Sequence, residues 1–175
     1  IIVRPALEAD PNASFGEGSG NEDSNTLGFQ VGAGQDNFIY VRVRNRGGSA
    51  AANVLVTVYW SEVATLVMPN KWVKIGTTGP IAVSVGNKLA VAGPLVWPQA
   101  NLPPPGDHAC FITVLDDPED PEPPLPPSIA QFDWTNFIKY ILNQNNVAWR
   151  NFDVVDVPTP PTGLTIMNFV IAGAP

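Results

Sequence analysis

The chain has 175 residues, 45% hydrophobic and only 14% charged, a balance that builds a core and speaks against a disordered acidic tail. Nine Lys and Arg against sixteen Asp and Glu leave a net charge of −7 and no basic stripe for phosphates, which argues against nucleic acid as a partner. A single cysteine, Cys110, excludes an internal disulfide, and no apolar run reaches the roughly 18 residues of a membrane-spanning helix.

In chain order, the start Ile1-Ile2-Val3-Arg4-Pro5 lacks a signal-peptide pattern and reads as a mature product or an excised fragment. Residues 10–36 are rich in Asn, Asp, Glu, Gly and Ser, so segment 1–36 is expected to be an extended leader or loop that contributes little core. From Phe38 the pattern changes. Ile39, Val41 and Val43 alternate with Tyr40, Arg42 and Arg44, the period of two of a strand with one buried and one wet face. Asn45-Arg-Gly-Gly-Ser49 supplies turn chemistry before the β-branched run Val54 to Trp60, and the two runs are expected to pair as antiparallel neighbours.

Further short runs follow at Trp72–Ile75, Ile81–Val85, Lys88–Val91, Pro94–Trp97 and Ala109–Leu115, punctuated by Gly and Pro. Many short strands between nineteen prolines and fifteen glycines indicate an all-β sandwich or barrel. One segment breaks this rhythm. Trp134, Phe137, Ile138 and Ile141 fall at i, i+3, i+4 and i+7, which predicts a short helix over 133–142 with Asp133 as N-cap, lying against an end or edge of the sandwich. Extended character returns in Val147–Val157. A boundary is expected near Pro158, leaving 37–157 as the sandwich domain and 158–175 as linker plus the strand-like run Leu164–Ala172.

The segments Phe38-Ile-Tyr-Val-Arg-Val-Arg-Asn-Arg-Gly47, Asn53-Val-Leu-Val-Thr-Val-Tyr59 and Asn145-Asn-Val-Ala-Trp-Arg-Asn-Phe-Asp-Val154 together resemble the CARDB group of bacterial cell-adhesion-related domains, over roughly residues 36–157. The resemblance implies an all-β, immunoglobulin-like antiparallel sandwich in a secreted or cell-surface bacterial protein. Such domains are structural or accessory modules, sometimes beside a secreted hydrolase, and bring no catalytic residues. The expected partners are therefore other protein domains or copies of the chain itself.

Candidate chemistry is sparse. Asp116, Asp117, Glu119 and Asp120 offer hard oxygen ligands for calcium in a proline-stiffened loop, although a solvated acidic loop explains them as simply and the spacing is not that of an EF-hand. Five tryptophans could stack on a carbohydrate. Trp134 and Trp60 are better explained by burial, which leaves Trp72 and Trp97, beside Asn70-Lys71 and Pro98, as the expected exposed ligand-binding pair. His108 and Cys110 point to the same strand face and suggest a thiol–imidazole pair, but a cysteine leading an apolar strand is expected to act as a small buried hydrophobe. No catalytic motif or multi-histidine metal pattern occurs, so the chain is read as a non-enzyme, the alternative being a carbohydrate- or calcium-dependent binding module.

Overall fold

The computed structural model describes residues 1–28, 30–124 and 133–156. The strands are β1 (Ile2–Arg4), β2 (Val31–Ala33), β3 (Asn37–Arg44), β4 (Ala51–Glu62), β5 (Val73–Thr77), β6 (Ile81–Val83), β7 (Leu89–Trp97), β8 (His108–Asp116) and β9 (Val147–Asp156), with helices α1 (Pro11–Phe15) and α2 (Trp134–Asn143). One sheet has the order β1-β3-β7 and the other β2-β9-β8-β4-β5, with β6 continuing beside β4. This is an immunoglobulin-like sandwich in which the first strand is split between the sheets, β1 pairing antiparallel with β3 and β2 pairing parallel with β9.

β3 and β4 stand in opposite sheets, not side by side as expected. Alternation fixes which face of a strand is apolar but not its partner, and the Asn45–Ala50 connection here crosses the sandwich. The main core lies between the sheets: Ile39, Val41 and Val43 from β3, Val54, Val56 and Val58 from β4, and Trp97, Phe111 and Phe152 from β7, β8 and β9. The runs at Lys88–Val91 and Pro94–Trp97 are one strand, β7, which passes through a cis Gly93–Pro94 bond without ending.

Both outer sheet faces are covered. Segment 1–36, expected to add little core, supplies β1, β2, α1 and four buried side chains, Ile2, Val3, Phe15 and Val31. Phe15 packs its ring 5.6 Å from that of Tyr40, which explains why Tyr40, on the expected wet face of β3, is buried. Arg42, on that same face, donates to the carbonyls of Asn21, Glu22 and Ser24, and Arg150 donates to those of Ile1 and Asn25. Two guanidiniums thereby satisfy the carbonyls of a loop too polar to hold itself by burial.

The other outer face, on β8 and β9, is covered by α2 and the 63–72 connection. Asp133 caps α2, accepting from Asn136 N at 2.8 Å, as expected. The helix lies across the face of the sheet and not at an end or edge. It seats Phe137 in a cluster with Leu66, Cys110, Ile112, Val114 and Val147. β8 is consequently buried on both faces from Ala109 to Val114. Trp134, expected to be buried on this helix, is 52% exposed at its first turn, with its ring stacked on Phe137. Residues 158–175, read as linker and terminal strand, lie outside the described residues.

Candidate functional site

A cleft of about 720 Å³ opens at one end of the sandwich, between the β3–β4 connection and the turn that follows β8. Its floor is apolar, made of Val43, Val54, Val83 and Leu115. One wall is Arg44 to Ala51 and the other carries Asp117, Glu119, Asp120, Asn145 and Asn146. In immunoglobulin variable domains the loops at the corresponding end form the recognition surface. The sequence places chemistry on this wall through Asp117-Pro-Glu-Asp120, but the opposite wall looked like a plain turn. The crossing of β3 to β4 brings Arg44 and Arg46 into the lining; the Arg44 guanidinium is paired with Asp23 at 3.6 Å, which leaves Arg46 as the exposed cation of this wall.

Three of the four acids expected to bind calcium therefore line this cleft, and Asp116 does not. Oxygens of Asp116, Asp117 and Asp120 are already engaged in shaping the turn, which Glu119 enters through its backbone N–H. Asp117 Oδ1 accepts from Glu119 N at 3.0 Å and its Oδ2 from Asn53 N at 3.4 Å. Asp120 Oδ2 accepts from Asn145 Nδ2 at 3.0 Å, and Asp116 Oδ1 from Glu122 N at 3.0 Å. The backbone of Asp117 and Asp120 closes in a two-way bridge, and Asn146 Nδ2 ties the turn to α2–β9 through Asp120 O at 2.9 Å. Among the described residues, no group of three or more His, Cys, Asp or Glu is arranged to hold a metal ion.

On the expected aromatic platform, Trp97 is a correction: it is 2% exposed at the centre of the main core, so it cannot present a face to sugar. Its neighbour Pro98 suggested a loop edge, but the opposing sheet closes over the ring. Trp72 is half-buried, its ring 6.0 Å from Tyr59 and its Nε1 donating to Leu66 O at 2.8 Å, so its polar edge is spent on fixing the 63–72 connection. The structure does not bring these two tryptophans together.

His108 and Cys110 share a face, as alternation requires, but each is bonded across to β9. His108 Nδ1 lies 2.7 Å from Asp153 Oδ1, and Cys110 Sγ donates to Asn151 Oδ1 at 3.1 Å. Cys110 is 1% exposed, and burial pushes its thiol up to about 11. A group protonated at neutral pH and shielded from solvent is a poor nucleophile. Cys110 is expected to resist iodoacetamide at pH 8 in the native chain and to react fully in denaturant. Because its folded value lies above the ordinary 9.0, the stability it contributes is present below about 9 and falls away as pH rises towards about 11, measurable in alkaline denaturant titrations.

No family model matches the chain, and no curated protein matches it. Among solved structures it is similar to AsqI, at 11% identity over 70% of this chain and 31% of that chain, with a TM-score of 0.49. It is also similar to the CARDB domain of a Pyrococcus furiosus protein, solved in complex with di-metal ions, at 20% identity over 74% of this chain and 86% of that domain, with a TM-score of 0.38. A third is hemolymph-type prophenoloxidase from a crustacean, at 12% identity over 79% of this chain and 28% of that chain, with a TM-score of 0.45. The chain thus spans less than a third of the length of AsqI and of prophenoloxidase. A CARDB domain, the group named by the sequence resemblance, is among these neighbours.

Proposed function

We propose that the protein is a non-enzymatic interaction module of a secreted or cell-surface protein, with the cleft between residues 44–51 and 117–120 as its binding face. The observation that carries this reading is the make-up of the cleft: apolar Val43, Val54, Val83 and Leu115 between a polar connection that carries Arg46 and a wall that carries Asp117, Glu119 and Asp120. That arrangement suits an extended peptide segment of a partner protein, which contributes apolar side chains to the floor and charges to the rims. Support for a non-catalytic role comes from the state of Cys110, which is protonated and buried. No helix among the described residues is long and apolar enough to cross a membrane. Adhesion by self-association through strand addition belongs to the same reading.

The test is a selection of displayed random peptides against the immobilised chain. Enriched peptides are expected to lose binding to Arg46→Glu and to Glu119→Lys. If nothing is enriched, or if binders ignore both reversals, the cleft is not the binding face. A calcium-dependent module is the second reading, favoured by Asp117, Glu119 and Asp120 lining one wall. Since Asp117 and Asp120 are engaged by the turn, millimolar Ca²⁺ and a chelator are expected to give the same thermal midpoint. A calcium-dependent rise that Asp120→Asn removes would replace the first reading with the second.

A further inference from the structure

We propose that the outer edge of β7 over Leu89–Val91 is a strand-binding surface held closed by the chain's own residues 12–17, and that the strand it takes is the same edge of a second copy. This rests on the interaction-module reading and adds an assembly surface remote from the cleft.

The N–H groups of Leu89 and Val91 donate outside the sheet ladder. Val91 N donates to Asn12 Oδ1 at 3.3 Å and Leu89 N to Glu17 Oε2 at 3.2 Å. Acceptor oxygens on N–H groups two residues apart are what the carbonyls of an adjoining strand would supply. Here they come from side chains 79 and 72 residues away in sequence, on exposed residues, Asn12 in the first turn of the five-residue α1 and Glu17 just beyond its end. Glu17 also takes Lys88 Nζ at 2.7 Å. The cover is anchored by one buried ring, Phe15, under the Arg4 guanidinium 5.0 Å above it. The two bonds are part-buried over Leu89 and Val91, which lie beneath this cover, so a competing strand would replace them one for one as α1 and Phe15 lift away.

The other edge of the smaller sheet, β1, has Val3 N donating to Gly28 O at 3.1 Å, and the edges of the larger sheet are closed from within. Gly32 of β2 exchanges both backbone groups with the side chain of Asn37, in the same turn, and β5 carries an irregular register beside Val58/Tyr59 and a charged Lys74. β7 differs, because Leu89-Ala90-Val91-Ala92 is uncharged and its cap is long-range. Paired antiparallel with itself about Ala90, it sets Leu89 against Val91 and Lys88 against Ala92, so that no like charges meet across the two-fold axis.

The test is sedimentation velocity over a concentration series with the Asn12→Ala/Glu17→Ala double variant. The expected result is a dimer whose dissociation constant is at least roughly tenfold lower than that of the unsubstituted chain. Adding Val91→Pro, which removes an edge N–H, is expected to restore the monomer. A double variant that stays monomeric with unchanged circular dichroism overturns the proposal, and so does a dimer that survives Val91→Pro. Should the double variant lose its fold, Glu17→Ala alone, at an exposed position, carries the same test. Peptide binding that depends on Arg46 and Glu119 is read separately, so failure at this edge leaves the cleft reading standing and the reverse also holds.

Discussion

Replacing Trp97 by alanine is expected to destabilise the protein by about 3–5 kcal/mol, among the largest effects available in this chain. Trp97 stands on β7 in the smaller sheet and reaches into the larger one. Its ring lies 5.7 Å from both Phe111 on β8 and Phe152 on β9 in edge-on geometry, and 6.2 Å from Trp60 on β4. Phe111 and Phe152 stack on each other at 4.1 Å, so the indole closes an aromatic group that joins both sheets. Alanine would leave a void that a sandwich cannot easily collapse into, because the strands on either side are fixed by their ladders. The indole N–H also ties the turn after β7 by donating to Asn101 O at 3.2 Å. Urea unfolding followed by circular dichroism should show the lower midpoint with little change in slope. Trp97→Phe, which keeps a ring in the site, is expected to lose much less. A Trp97→Ala chain as stable as the parent would mean that this ring does not hold the sheets together.

The same residue shows what was legible in the sequence. Short apolar and β-branched runs between Gly and Pro revealed every strand of the larger sheet except β2, and the inward faces of β3 and β4 follow directly from Ile39, Val41, Val43, Val54, Val56 and Val58. Burial that depends on a facing element was not legible. Trp97 looked exposed from its Pro98 neighbour, and Tyr40 looked wet from its place in the alternation, because neither the opposite sheet nor α1 is visible in local pattern. The leader misled for a related reason. Its polar composition reads as loop, yet Ile2, Val3, Phe15 and Val31 are enough to dock it once Arg42 and Arg150 bond its carbonyls. The acidic wall of the cleft was legible as a cluster. The cleft itself was not, since its other wall, Arg44 to Ala51, arrives through a sheet-to-sheet crossing that alternation cannot predict.

Phe137→Ala is expected to do two things at once: lower stability by about 3–5 kcal/mol and make Cys110 reactive. The ring is fully buried and sits in the cluster that includes Cys110, Ile112 and Leu66, with Trp149 6.1 Å away. It is the one residue of α2 that is fully buried. Ile138, Tyr140 and Ile141 pack on the same cluster but are only half-buried, and Trp134, whose ring is 6.1 Å from Trp149, is exposed, so Phe137 is the main anchor of the helix on the sheet. A ten-residue helix has marginal stability alone in water, so undocking should also melt it. Helical circular dichroism should fall, and the thiol, now nearer water, should titrate closer to its ordinary value and take up iodoacetamide at pH 8 under native conditions. Leu66→Ala serves as the comparison, because Leu66 covers the same cluster from the 63–72 connection without belonging to the helix. If Phe137→Ala leaves Cys110 unreactive while Leu66→Ala exposes it, the cover over β8 is the connection and α2 is an addition to a face that is already closed. If Phe137→Ala alone exposes it, the helix between β8 and β9 is what converts an open immunoglobulin-like sheet face into a second core.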